Sequence, residues 1–152
     1  MALVTELRKG THYRNLSSDE KEFLRSSGRD DGYKYVLTEE VVMECVHENN
    51  RALVRMAKGF LSDGCSGPGI DAWDASGWYL HDWLYATHET DNGPISKEDA
   101  DDVLLPHRDL AVSLFGARSW ANSFARGALL LSKNGDDYCL TRYATRSDKA
   151  SL

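Results

Sequence analysis

The rhythm of apolar and polar positions changes twice along this chain. Tyr33 to Leu37, Val41 to His47 and Ala52 to Met56 are short stretches rich in β-branched and aromatic residues, the composition of strands. The polar cluster Glu48-Asn49-Asn50-Arg51 separates the last two and predicts a hairpin within a small antiparallel sheet. Upstream, Ser17 and Ser18 precede Asp19, Glu20, Phe23 and Leu24. Serine caps a helix start and carboxylates favour its positive end, so a short helix ending near Gly28 is expected. From Gly59 the rhythm breaks: Gly59, Gly64, Gly67, Pro68 and Gly69 fall within eleven residues, a density that predicts a tightly folded loop.

Beyond the loop the spacing is helical. Ser76 is a candidate cap for a helix on which Trp78, His81, Asp82, Tyr85 and His88 share one side at spacings of three, four and seven. Ser96-Lys97-Glu98-Asp99 has the shape of a capping box, leading into Ala100 to Leu105 and stopped by Pro106. Ala111 to Phe115 and Ala117 to Leu131 repeat the helical spacing, with Trp120, Phe124 and Leu131 along one stripe and Asn134-Gly135 as the stop. Strands followed by helices predict an α+β fold: a small antiparallel N-terminal sheet, a Gly-rich loop, then three or four packed helices. The expected organisation is an N-terminal extension with a short helix over 1–32, one α+β domain over 33–135 and a C-terminal tail over 136–152.

Composition narrows the classes. The 152 residues are 41% hydrophobic, enough for one sizeable core. Apolar runs fall far short of the roughly 20 residues of a membrane-spanning helix, and Met1 to His12 show no secretory signal. The chain is therefore expected to stay where it is made or to be packaged with something. Cys45, Cys65 and Cys139 are too few for a disulfide framework. Residues 61–105 carry one Lys against ten Asp and Glu. Such a block opposes phosphate-backbone binding, so no nucleic-acid partner is expected, and it suits a hard cation or a solvated acidic face.

The candidate chemistry sits in three stretches: Gly59 to Gly69, His81-Asp82-Trp83-Leu84-Tyr85, and Ala100-Asp101. On a helix His81 and Tyr85 lie one turn apart, while Asp82 points about 100° away. A neutral His81 imidazole can take a proton from water near neutral pH, and Asp82 with loop carbonyls can hold a cation. Asp101, from the next helix, can bond the other ring nitrogen and fix its tautomer. The competing reading makes the same groups a scaffold, with His81 and Tyr85 as core residues bonded to the loop backbone and Asp63 and Ser66 as turn caps. Trp73, Trp78, Trp83 and Trp120 read as packing. Zinc at His81 and His88 lacks further ligands, and Cys65-Ser66 lacks a hydrolase elbow.

Val54 to Pro68, His81 to Tyr85 and Ser96 to Asp101 together resemble a domain family of unknown function common in phages and prophages. Its pattern is a strand into Gly-Phe-x-Thr-Asp-x-x-Ser-x-Pro, then His-Asp-x-Leu-Tyr, then Ala-Asp. Ser62 replaces the usual Thr, and Asp91-Asn92-Gly93-Pro94 is an insertion. That resemblance spans about Tyr33 to Gly135 and implies a virion structural or accessory component, capsid-attached or in the tail or neck, with other virion proteins as partners. A looser resemblance is to phospholipase A2 domains, which join a Gly-rich calcium loop to a His-Asp-x-x-Tyr helix and a later Asp. It implies His81 as base, Tyr85 and Asp101 as its orienting pair, and calcium at Asp82 with the carbonyls of Gly64, Gly67 and Gly69. The activity implied is calcium-assisted ester hydrolysis on membrane lipid. Gly77 and Trp78 stand where that family has cysteines.

Overall fold

A computed structural model describes residues 2–29, 31–47, 50–64, 75–104 and 112–150. The order is β1 (Tyr13–Asn15), α1 (Ser18–Ser26), β2 (Tyr35–Leu37), β3 (Val41–His47), β4 (Asn50–Met56), β5 (Leu61–Ser62), α2 (Ala75–Thr87), β6 (Glu89–Thr90) and β7 (Gly93–Pro94). Then come α3 (Lys97–Asp101), α4 (Ala117–Arg126), β8 (Leu129–Asn134), β9 (Asp137–Arg142) and α5 (Arg146–Ala150). The fold is α+β, as the element pattern predicts. No described helix is long and apolar enough to cross a membrane.

The strands form small antiparallel sheets. β2 lies between β1 and β5, with Val36 opposite Arg14 and Leu61. β3 and β4 form the expected hairpin, in which Met43 faces Val54 and Cys45 faces Ala52. The start of α1 is the predicted one: the Glu20 amide donates to Ser17 Oγ, and Glu20 reaches back to the Ser17 amide.

α2 is buried on nearly every side, from Trp78, Tyr79 and Leu80 to Trp83, Leu84 and Tyr85. A helix apolar all round belongs in the centre of a domain. Tyr79 and Trp83 set their rings against Phe60, which precedes β5, and the Tyr79 hydroxyl donates to the Phe60 carbonyl at 2.9 Å. These contacts hold the beginning of the Gly-rich segment on the middle of α2. Ser76 lies within the first turn of α2 rather than capping it, and its Oγ accepts the Leu7 amide at 2.8 Å.

Three expectations are corrected. The helix starting at Ala117 stops at Arg126, and Leu129 to Leu131 belong to β8, paired with β9. Leucine suits a helix as well as a strand, but Gly127 adopts φ +80° and ends the helix, and Leu129 and Leu131 enter a second core with Leu16, Leu24, Val36 and Leu61. Residues 136–152 are not simply a tail, since they supply β9 and α5. Residues 1–32 are not simply an extension: β1 joins the sheet, and Leu7, Tyr13 and Leu16 are buried.

β8 is seated by a close backbone approach. The Leu131 amide donates to the Gly59 carbonyl at 2.9 Å. Gly59 has φ +90°, and a Cβ there would lie 2.4 Å from the Leu131 carbonyl oxygen, so only glycine fits.

Candidate active site

Helix geometry places His81 and Tyr85 on one face of α2 and turns Asp82 about 100° away, and α3 packs against α2. Ser96 caps α3 by accepting the Asp99 amide, which fixes the short helix that delivers Asp101. His81 Nε2 lies 2.8 Å from Asp101 Oδ1, and the Tyr85 hydroxyl donates to the same oxygen at 2.6 Å. Lys97 Nζ donates to Oδ2 at 2.7 Å. Asp101 is fully buried and His81 is 2% exposed. A buried carboxylate is tolerated when it is bonded this fully.

The protonation states follow from these bonds. Burial alone would raise the Asp101 carboxyl, but the bonds from His81, Lys97 and Tyr85 outweigh it and hold the group below the usual carboxylate range. Asp101 is therefore an anion and accepts from both partners at Oδ1. Burial pushes the His81 imidazole below its ordinary value against the opposing pull of Asp101, and nearby Lys97 adds to the lowering. The ring is neutral near pH 7. Because Nε2 must donate to a carboxylate, its proton resides there, and Nδ1 carries the lone pair. The Tyr85 hydroxyl is raised by burial and by Asp101, so it remains a donor.

His81 lines a cavity of about 380 Å³ with Asp82 and Tyr85 of α2 and with Ser62, Asp63 and Gly64 at the entrance to the Gly-rich segment. Phe115 packs on the His81 ring at 5.0 Å between centroids and forms another part of the wall. The first residues of the loop thus meet the helix at the imidazole and its neighbouring acid. Ser62 Oγ donates to Asp82 Oδ2 at 2.5 Å and accepts the Gly64 amide at 3.0 Å. The carboxyl of Asp82 is raised well above its ordinary value by burial and then by the charge of Asp63. Two adjacent acids of this kind call for a shared proton or a cation.

The donor chemistry of Asp82 and Asp63 fits a hard cation such as calcium, since both are carboxylates. Among the described residues there is no group of three or more His, Cys, Asp or Glu placed to hold a metal, so the carboxylate pair would need carbonyl or water ligands besides. Gly67 and Gly69, two of the expected carbonyl donors, lie outside the described residues, as do Trp73, Cys65 and Ser66. His88 is engaged elsewhere. Its ring stacks on Trp120 at 3.6 Å and on Phe124 at 4.4 Å, and Nε2 donates to the Trp120 carbonyl at 3.2 Å.

Four site residues are additions to the sequence reading. Lys97 stands at i to i+4 from Asp101, a spacing that could have paired them. Phe115 gives no sequence signal for its contact with His81. Asp63 reads locally as a turn former, and only the fold sets it beside Asp82. Arg126 lines the cavity from α4.

The sequence matches no family model, no curated protein and no solved structure.

Proposed function

We propose that this protein is a hydrolase of carboxylic esters in which His81 is the general base. The observation that carries the reading is the bond from His81 Nε2 to an ionised, triply bonded Asp101 on the wall of a cavity. Burial of a carboxylate at this cost is repaid when it orients and stabilises an imidazolium formed during a reaction.

In the reaction proposed, Nδ1 of His81 takes a proton from water as the water oxygen bonds to the ester carbonyl carbon. The resulting imidazolium is stabilised by Asp101, whose other bonds from Lys97 and Tyr85 keep it from turning away. Collapse of the tetrahedral intermediate breaks the bond to the alcohol oxygen, which takes the proton back from Nδ1. A divalent cation held by Asp82 and Asp63 would supply charge stabilisation for the carbonyl oxygen. The scaffold reading accounts for the buried contacts but gives no role to a neutral histidine on the wall of a cavity.

The experiment is hydrolysis of short-chain acyl esters with calcium present, comparing the protein with His81→Gln. A loss of about 100-fold or more in kcat is expected for a general base. Undiminished hydrolysis in His81→Gln would overturn the proposal. The virion setting implied by the motif resemblance is compatible with this activity, and mass spectrometry of purified phage particles would distinguish a particle-borne enzyme from a free one.

A further inference from the structure

α4 is seated by one face and left open on another. At about 100° per residue, Ser119, Asn122, Ser123 and Arg126 share one side of the helix, while Trp120 and Phe124 lie on an adjacent one. The aromatic side is the anchor: both rings stack against His88 at the end of α2, and Trp120 also meets Tyr85 edge-on at 4.9 Å. The helix end is fixed independently, because Arg142 Nη2 donates to the Phe124 carbonyl at 3.1 Å. The polar side, all four residues of it, lines the cavity that holds His81.

Arg126 is the single Lys or Arg among the described residues of that wall. It sits on the rim, and among the described residues no carboxylate lies within ion-pair distance of it. Its charge nevertheless reaches the cavity, where it opposes the upward shifts of Asp82 and Tyr33. A planar guanidinium beside two hydroxyls and an amide is a set of donors suited to an oxyanion. By contrast, a wall meant for a long acyl chain would place apolar side chains at these four positions.

We propose that α4 is the substrate-recognition wall of the site, with Arg126 as its anion anchor, and that it selects small water-soluble esters bearing a phosphate or carboxylate. The inference rests on the hydrolase reading for the scissile bond, but the anion site is testable without it. Asp82 and Asp63 would repel such a substrate, so the anion is held at the α4 end of the cavity and the carbonyl at the His81 end.

The test pairs kinetics with binding. With calcium present, kcat/KM is measured for butyryl glycerol phosphate, for neutral butyrylglycerol and for vesicles of long-chain phosphatidylcholine. Preference for the phosphate ester over the other two is expected. Arg126→Gln should lower the phosphate-to-neutral ratio about tenfold or more, as loss of a charged hydrogen bond does, and Arg126→Lys should restore part of it. An unchanged ratio, or faster turnover of vesicles, would overturn the inference. Calorimetric titration with glycerol phosphate stands apart from turnover: binding weakened about tenfold in Arg126→Gln supports the anion wall even if no ester is hydrolysed. Absence of binding to the unaltered protein overturns the wall even if hydrolysis is found.

Discussion

Lys97 Nζ lies 2.7 Å from Asp101 Oδ2, one helical turn along α3, while His81 and Tyr85 share the other carboxylate oxygen. The lysine is 16% exposed and its carboxylate fully buried, so this pair is shielded from solvent more than a surface ion pair is. Lys97 therefore acts on His81 in two ways. It keeps Asp101 ionised as an acceptor, and its charge adds to the burial that holds the imidazole below its ordinary value.

Removing that charge should move a pH profile. In Lys97→Met the imidazolium is no longer opposed by a nearby cation, so the His81 pKa rises. A base must be unprotonated to act, and the acid limb of kcat against pH is expected to shift to higher pH. Lys97→Arg should restore the limb toward its original place. A kcat profile that stays in place in Lys97→Met would remove Lys97 from its positioning role.

Stability should also fall with acid. His81 and His88 both have lowered values, with burial the leading cause at each. A histidine depressed in the folded state binds protons more readily when unfolded, so acid favours unfolding. The stabilisation is full above the ordinary histidine value of about 6.5 and is lost as pH falls from there through the folded-state values. Urea midpoints measured between pH 8 and pH 5 should drop on the acid side of that window. In the double variant His81→Gln, His88→Gln, the drop between these limits should be smaller. An equal drop would assign the acid sensitivity to other groups.

Asp82 has the opposite sign. Its carboxyl is raised by burial and by Asp63, so ionising it costs stability as pH rises unless a cation compensates. Calcium should raise the melting temperature, and more so at pH 8 than at pH 6. At about a hundredfold excess over the dissociation constant the rise should be on the order of 5 °C or more. Asp82→Asn should abolish most of the calcium response while melting higher than the unaltered protein in the absence of calcium. A calcium response retained in Asp82→Asn would place the cation elsewhere.

Two glycines of positive φ should differ in what alanine does to them. At Gly59 the new Cβ meets the Leu131 backbone oxygen, whereas at Gly127 it meets the side chain of Arg142. Gly59→Ala incurs a positive-φ penalty of about 1–2 kcal/mol. Gly127, at φ +80° and ψ 177°, lies in a region essentially restricted to glycine, where another residue costs on the order of 1–3 kcal/mol. A side chain can swing aside and a β-strand carbonyl cannot, so Gly59→Ala is expected to cost roughly 3 kcal/mol or more and Gly127→Ala less. Urea denaturation of the two variants measures the difference, and equal losses would refute the close approach of β8 to Gly59.

Much of the candidate site was legible one segment at a time. The spacing of His81, Asp82 and Tyr85 needs only the pitch of a helix, and the Ser96 cap that begins α3 is a local signal. The strands β3 and β4 follow from β-branched residues on either side of a polar turn. These features depend on neighbours within a few residues, so their physics is written in the order of the chain.

What the order of the chain could not decide was which separated groups would meet. Asp101 reaches His81 across 20 residues because α3 packs beside α2, and Asp63 comes to Asp82 because Phe60 is pinned by Tyr79 and Trp83. Leu129 to Leu131 form a strand because a second core and the Gly59 carbonyl receive them, overriding a propensity that favours helix equally. The sequence alone determined the types of side chain and their placement along each element. The tertiary structure decided their protonation and their shared cavity, since burial and the assembly of distant charges exist only once the chain has packed.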